Sequence, residues 1–276
     1  MQSAIINLDQ FNISDSGQFI LQRKIFSDIY PDFPDLQRFK LYVYLCKAYQ
    51  WKFQRISRAK SEMQKDLNMS RGEVDKALDW LESNFFIKRT NSHKQQMYQA
   101  KLLTAPDYDP FTQTYVSCED IPFYTTDLKA RNQGYIMIPA EAISNDMLKK
   151  SATSSRTWSY TRLKVYIMLY AHFWLSYFGG IDPSIVTINA SNQITYIEPA
   201  FYFGIQRSKK QVTNVIEDLI SMNLFKRVDT IFEYDVYVGD ADKLSIRNSR
   251  QSQRLVLRPY HISSTTVNKL LLKGTN

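Results

Sequence analysis

The sequence predicts an α+β fold of two tandem winged-helix domains, mainly helical and with small β-wings. The first observation is a repeat, since Ser70–Arg89 and Ser208–Arg227 align without a gap. The second observation is that each copy opens with Ser, a good helix N-cap, and that apolar residues follow at i, i+3, i+4 and i+7. The third observation is that each copy ends in an apolar pair followed by Lys-Arg. A capped helix that leads into a short strand is the second half of a helix-turn-helix with a wing.

The apolar positions predict the buried face of both helices. Because this spacing places side chains on one side of a helix, we expect them to form the core of each domain. They are Val74, Ala77, Leu78 and Leu81 in the first copy and Val212, Val215, Ile216 and Leu219 in the second.

The first domain is predicted to span residues 1–103. Two helices, over about residues 36–53 and 59–67, should precede the helix that begins at Ser70. A strand over 86–89, a wing tip over 91–95 and a return strand over 97–102 should complete the domain.

Residues 104–133 are predicted to be an acidic linker that contains three prolines. Its aromatic residues indicate that it lies against a domain surface, because pure disorder is usually poorer in aromatics. The second domain is predicted over residues 134–242, with helices over about 160–177 and 200–204, a strand over 194–197, and the helix from Ser208. A hairpin is expected around Asp229-Thr230, and residues 243–276 should form a basic C-terminal tail.

Composition favours an ordinary globular protein, because 44% of the 276 residues are apolar. Two cysteines, Cys46 and Cys118, give neither a disulfide framework nor a metal-binding spacing. The N-terminus lacks the pattern of a signal peptide, and no apolar run is long enough to span a membrane. We therefore expect a cytoplasmic protein with no membrane partner.

The net charge of +8 suggests a polyanionic partner. The predicted tail carries seven basic residues and no acidic residue. A solvated tail without a partner is the alternative for such a segment. The apolar stretches Leu255–Leu257 and Val267–Leu272 also leave open a strand and a helix that dock on a domain or on a second subunit.

Catalytic patterns are lacking in the sequence. His93, His172 and His261 are isolated, and there is no phosphate-binding Gly-rich loop. The Asp-x-Asp pairs at 107–109 and 240–242 could hold Mg²⁺, but turn chemistry explains them better. We predict that the protein is not an enzyme and uses no cofactor or metal.

The second repeated helix carries the side chains expected of a DNA reader. With the apolar face buried, Lys210, Thr213 and Asn214 fall on another face, where they suit base edges in a major groove. Arg207 and Lys209 at the helix start should contact phosphates. Contacts to the DNA backbone are also expected from Lys226 and Arg227 in the strand that follows.

The first repeated helix is less suited to DNA. Arg71 and Lys76 are candidate contacts, but Glu73, Asp75 and Asp79 share that face and would repel phosphates. Basic residues in the preceding segment could offset this repulsion by binding the DNA backbone; they are Arg55, Arg58 and Lys60. The first domain is therefore predicted to be either a weaker DNA contact or a dimerisation surface.

Three segments of the second unit carry a resemblance to a known family: Gly134–Pro139, Arg162–Leu169 and Ser208–Arg227. Together they resemble the winged-helix DNA-binding domain of Gram-positive plasmid and phage replication initiators of the RepA N-terminal type. Two winged helices in tandem are also similar to initiators that bind plasmid iterons as monomers and repress their own promoters as dimers. The resemblance implies double-stranded DNA as the partner, and replisome or other host proteins and a homodimer as further partners.

The sequence therefore predicts a sequence-specific, non-enzymatic protein that binds double-stranded DNA at origin repeats of a plasmid or phage. A transcriptional repressor or a partition-type DNA-binding adaptor on the same fold is the alternative. A winged-helix module that binds only proteins is a second alternative, because winged helices also serve in protein interactions.

Overall fold

The structure is a computed structural model of the chain. It describes residues 17–28, 30–91, 97–118, 134–150, 158–174, 179–234, 236–244, 246 and 248–260. The chain forms two compact units, Met1–Tyr160 and Thr161–Asn276, and both contain helices and small sheets, which is compatible with the predicted α+β class. Within the described ranges, every helix is too short or too polar to cross a membrane.

The first unit is built from four helices and seven strands within its described residues. In chain order these are β1 (Gln18–Gln22), α1 (Leu36–Lys47), β2 (Ile56–Ala59), α2 (Lys60–Leu67), α3 (Arg71–Ser83), β3 (Ile87–Arg89), β4 (Met97–Leu102), β5 (Asp107–Asp109), β6 (Thr114–Val116), β7 (Tyr135–Pro139) and α4 (Asn145–Leu148).

α3 forms as its cap and its apolar spacing predict. Ser70 Oγ accepts a hydrogen bond from the backbone N–H of Glu73, and the Glu73 carboxylate accepts one from the N–H of Ser70 at 2.9 Å. This reciprocal capping box satisfies two N–H groups that the helix itself leaves unpaired. The predicted apolar residues of α3 are all buried. α3 packs on α1, and strands β2, β4 and β3 form an antiparallel sheet in that order.

The first half of the predicted linker is ordered against the first unit. β5 and β6 pair as an antiparallel hairpin, and the ring centroids of Tyr115 and Trp80 lie 5.7 Å apart. Tyr108 lies 5.3 Å from Tyr115 in the same aromatic cluster. This agrees with the expectation of a surface contact for Tyr108 and Tyr115, whereas Phe111 is 96% exposed. Residues 119–133 fall outside the described residues.

The division between the units falls at Tyr160, not at the predicted residue 134. β7 pairs antiparallel with β1, with Gln18 opposite Pro139 and Gln22 opposite Tyr135. A strand of the predicted first domain therefore pairs with the start of the predicted second domain. Lysine side chains anchor the region that follows, since Lys40 Nζ donates to the carbonyl of Lys149 at 2.7 Å and Lys47 Nζ to that of Ile143 at 2.6 Å.

The second unit begins with α5 (Tyr160–Tyr170), which is shorter than the predicted helix over 160–177. The rest of the unit is arranged around a five-stranded sheet with the strand order β11-β10-β14-β12-β13. Its further elements are β8 (Phe173–Trp174), β9 (Gly180–Ile181), β10 (Val186–Ile188), β11 (Ile194–Ile197), α6 (Pro199–Gly204), α7 (Lys209–Ser221), β12 (Phe225–Glu233), β13 (Val236–Asp240) and β14 (Gln251–Pro259).

α7 repeats the construction of α3. Ser208 Oγ accepts the backbone N–H of Gln211, and the Gln211 side-chain oxygen accepts the N–H of Ser208 at 3.0 Å. Val212, Ile216 and Leu219 are buried, whereas Val215 is half-buried at the edge of the apolar face.

Two elements of the second unit differ from the sequence expectation. β12 runs without interruption through Asp229 and Thr230, so the expected hairpin tip is the middle of a strand. Thr230 is buried and donates its hydroxyl to the carbonyl of Arg254 at 2.7 Å, an arrangement that needs strand geometry. In addition, Gln251–Pro259 of the predicted tail is a central strand that pairs with all of β12. Residues 261–276 lie outside the described residues.

A buried ion pair links β14 to β13, the strand on the far side of β12. The Arg258 guanidinium donates to both carboxylate oxygens of Asp240 at 2.7 and 2.8 Å, and the Tyr237 hydroxyl donates to Asp240 at 2.8 Å. Burial alone would raise the pKa of Asp240, but the hydrogen bonds from Arg258 and Tyr237 outweigh it, and the pKa is lowered. This part of the predicted tail is therefore integral to the second unit.

We expect Leu81→Ala to destabilise the protein by about 2–5 kcal/mol, because Leu81 is fully buried and its truncation leaves a cavity. Urea unfolding of the full chain measures this change. Ser83→Ala, at an exposed position of the same helix, should change the free energy of unfolding by less than about 0.5 kcal/mol. Equal effects of the two substitutions would show that the rotation assigned to α3 is wrong.

We expect Arg258→Ala to destabilise the protein by about 3–5 kcal/mol at pH 7, because it leaves the buried Asp240 carboxylate without its cation. The lowered pKa of Asp240 stabilises the fold above the ordinary pKa of Asp, about 4, and this contribution is lost as pH falls through the folded pKa. The difference between the two proteins should therefore shrink in acid.

Arg250→Ala is the control for this prediction, because Arg250 is an exposed basic residue of the same predicted tail. Its effect on urea unfolding should stay within about 0.5 kcal/mol. If Arg258→Ala were equally silent, β14 would be dispensable and the segment would behave as a solvated tail.

Candidate nucleic-acid interface

The exposed side of α7 carries its basic and amide side chains in the first two turns. Lys209, Lys210 and Asn214 are all exposed. In the described part of the chain, the side chains of Lys210 and Asn214 have neither a hydrogen-bond partner nor an ion-pair partner. They can therefore approach a ligand without first breaking contacts within the protein.

The capping box of α7 leaves its N-terminus electropositive. In α3 the capping side chain is the charged Glu73, whereas the matching residue in α7 is the neutral Gln211. Both cap the helix equally well in geometry, but only Glu73 opposes the partial positive charge that a helix carries at its N-terminus. The start of α7 thus combines that partial charge with Lys209 and Lys210, which suits a phosphate group.

Other predicted contacts on α7 are already engaged within the second unit. Thr213 is half-buried, and its hydroxyl donates to the Lys209 carbonyl at 2.9 Å. Arg207 is half-buried as well, and its Nε donates to Thr161 Oγ1 at 3.0 Å. The Lys209 ammonium donates to the carbonyl of Thr195 on β11 at 3.1 Å.

The C-terminal half of α7 presents acidic side chains that are held in ion pairs. Glu217 bonds to Arg227 of β12 at 2.5 Å, and Asp218 bonds to Arg162 of α5 at 2.7 Å. Arg227 is therefore placed as a structural partner of α7, and its charge is balanced within the unit. The region of α7 that can attract an anion is confined to its first two turns.

Beside β12 lies an open cavity of about 620 Å³ whose charges nearly cancel. Lys226 is one of the residues that line the cavity. The Lys226 Nζ also lies 5.5 Å from the ring centroid of Tyr260. Three basic and three acidic residues line the cavity, so it has no marked preference for an anion. They are Lys226, Arg227 and Arg258, and Asp229, Asp240 and Asp242.

The candidate residues of α2 and α3 sit in a network of opposite charges. Lys60 bonds to Asp75 at 2.5 Å, and Arg71, whose side chain is 82% exposed, lies 3.8 Å from the same carboxylate. Lys76 is exposed on the same helix. These pairs neutralise much of the positive charge beside α3.

Lys150 bonds to Glu73 at 2.6 Å and adds to this network. This hydrogen bond and those from Ser70 lower the pKa of Glu73 to about 2, so its carboxylate stays charged at any ordinary pH. Of the remaining candidates in the first unit, Arg58 is exposed and Arg55 is half-buried.

Sequence reasoning did not find the partners that restrict these side chains. Glu217 and Arg227 are ten positions apart on different elements, and Lys150 and Glu73 are 77 positions apart. No local pattern links such residues. The sequence does show Glu73 and Gln211 at matching positions of the repeat, and this difference indicates that the N-terminus of α7 is the more electropositive of the two.

No protein-family model matches the chain, and no curated protein matches it. Among solved structures, the chain is similar to the crystal structure of Pi initiator protein in complex with iteron DNA. The likeness covers 88% of this chain and 98% of that chain, with 10% sequence identity and a TM-score of 0.36. At this TM-score, the similarity carries no argument about the function of the chain.

Proposed function

We propose that the chain is a sequence-specific double-stranded DNA-binding protein that acts by binding alone, and that α7 is its main reading element. We further propose that each unit is a winged helix and that the protein initiates replication of a plasmid or phage by binding origin repeats. The sequence resemblance of the second unit to replication initiators supports the last step.

The order of elements in the first unit supports a winged helix. A helix, a strand, two helices and two strands follow one another as α1, β2, α2, α3, β3 and β4, and the strand that pairs with both others is the last one.

The second unit has the same order in α5, β10, α6, α7, β12 and β14, with β14 between β10 and β12. β11 and β13 are additions at the two edges of that sheet. In helix-turn-helix proteins the second helix of the pair lies in the major groove.

The observation that carries the DNA proposal is the pair Lys210 and Asn214. They lie four positions apart, so they occupy the same face of α7, and both are exposed. An amide can bond to adenine and a lysine to guanine through the major groove. Their lack of partners among the described residues makes them available for such contacts. Lys209 next to them would bind a phosphate.

The first unit would contribute to DNA binding mainly through the backbone, or would serve as a dimerisation surface. Its α3 has Glu73 in place of Gln211, and Asp75 holds Lys60 and Arg71. An approaching phosphate would have to displace these carboxylates. We therefore assign sequence reading to the second unit.

We expect Asn214→Ala to weaken binding to the preferred duplex by about 1–3 kcal/mol and to leave binding to random duplex almost unchanged, as removal of a base contact does. Lys209→Ala should weaken binding to both duplexes alike, because it removes a phosphate contact. The measurement is a binding titration at two salt concentrations on a duplex selected from random sequence and on a random duplex.

The matched controls are Lys76→Ala and Arg71→Ala, at the positions of α3 that align with Asn214 and Lys209. Their effects should be smaller than those of the α7 variants. If the α3 variants lost affinity for the preferred duplex while the α7 variants kept it, the first unit would be the one that reads the sequence. Absence of duplex binding at low salt would favour a protein-interaction module instead.

The arrangement of binding sites tests the role in initiation. A replication initiator should protect a series of repeated sites in footprinting, and Asn214→Ala should abolish replication of a plasmid that depends on the protein. A repressor or a partition-type adaptor would leave such replication intact, and a repressor would protect a promoter.

A further inference from the structure

A short loop between α1 and β2 holds an aromatic ring out in solvent. Residues 50–55, here called the Phe53 loop, contain a 3₁₀ turn over Trp51–Phe53. The loop is closed by backbone hydrogen bonds in both directions, from Gln50 N–H to the Arg55 carbonyl at 2.8 Å and from Arg55 N–H to the Gln50 carbonyl at 3.4 Å. Gln54 completes the turn with a positive φ of 48°. The loop therefore has a defined backbone.

Phe53 is 58% exposed, and the cations of Lys52 and Arg55 lie near its ring. The Arg55 guanidinium carbon is 5.5 Å from the ring centroid, and Lys52 Nζ is 5.9 Å from it. Both distances lie within the range of a cation–π contact. The same loop thus offers an aromatic surface and two positive charges within a few ångströms of one another.

Part of the positive charge of this region is not balanced by ion pairs, although Arg38 pairs with Asp35 and Lys60 with Asp75. Between Asp35 and Glu62 the sequence has seven basic residues and no acidic residue. Lys52, Arg55 and Arg58 form no ion pair with any residue that the structure describes. This distinguishes them from Lys60 and from the basic residues of α3, whose charges Asp75 offsets.

We propose that the Phe53 loop binds a nucleic-acid strand with unpaired bases. The Phe53 ring would stack on an unpaired base, and Lys52, Arg55 and Arg58 would contact the phosphates on either side. Proteins that bind single strands combine aromatic rings for stacking with a basic surface that follows the backbone. A base inside a duplex already stacks on both faces, so the ring gains little from paired DNA.

The charge around the loop favours this ligand over a protein partner. A polyanion can contact the cations of Lys52 and Arg55 at once, whereas a single exposed ring offers little area for a protein interface. The site is distinct from the duplex reader proposed above, since it belongs to the first unit and uses stacking on unpaired bases. Its test therefore does not depend on α7.

The experiment compares binding of the full chain to a labelled oligothymidine of about 20 nucleotides and to a random duplex of the same length, by fluorescence anisotropy. We expect Phe53→Ala and Phe53→Leu each to weaken binding to the oligothymidine roughly tenfold, because both remove the stacking face. Phe53→Trp should retain binding. Binding to the duplex should change less than twofold in all three variants.

Phe111→Ala is the matched control, since Phe111 is 96% exposed but follows Asp109 in a stretch without basic residues. It should leave both affinities unchanged. The double variant Lys52→Gln, Arg55→Gln should reduce the salt dependence of oligothymidine binding, by about 0.7 in the slope of log K against log salt for each phosphate that the variant no longer neutralises.

Three results would overturn the proposal. The first is a wild-type chain that does not bind the oligothymidine. The second is a Phe53→Ala variant that binds as the Phe111→Ala variant does. The third is an equal loss of affinity for single strand and duplex, which would place Phe53 in a general electrostatic surface. Loss of duplex binding in the α7 variants alone bears on the duplex proposal and leaves this one standing.

Discussion

The rotation of α7 about its own axis decides which side chains the second unit presents to solvent. Val212, Ile216 and Leu219 are fully buried, and burial of each such side chain stabilises the fold by roughly 1.5–3 kcal/mol. No polar contact on the opposite face approaches that sum. Lys210 and Asn214 therefore face solvent because burial of the apolar face fixes the rotation of the helix, and their direction does not depend on hydrogen bonds of their own.

Much of this could be predicted from local sequence. The Ser caps, the residues three positions later and the apolar spacing involve neighbours in the chain, and the structure has both helices where these signals place them. The buried face of α3 follows the predicted residues completely. The predicted helix over 160–177 is longer than the observed α5, which ends at Tyr170, because Phe173 and Trp174 pair with β9 as strand β8.

The remaining differences come from pairing between distant segments. Asp229-Thr230 has a composition typical of a turn, but its partners Leu255 and Arg254 in β14 hold it in a strand. The basic composition of 243–276 predicted a tail that binds a polyanion, and only the apolar run Leu255-Val256-Leu257 indicated a docked strand. Arg258 is nevertheless among the most buried residues, because Asp240 neutralises it. A charge count along the chain cannot show which charges meet. The same limit explains why the ion pair between Glu217 and Arg227 was not foreseen.

The pairing of β1 with β7 has a consequence for how the gene can be divided. By sequence, residue 134 is the predicted start of the second domain, and it would be the natural point at which to separate two halves. In the folded chain, that cut would remove the partner of Phe19, Ile20 and Leu21, three buried residues of β1. The part after the cut would begin with an apolar strand that no longer has its neighbour. β1 and β7 thus cover each other within the first unit, and a fragment that is meant to fold by itself has to keep residues 17–160 together.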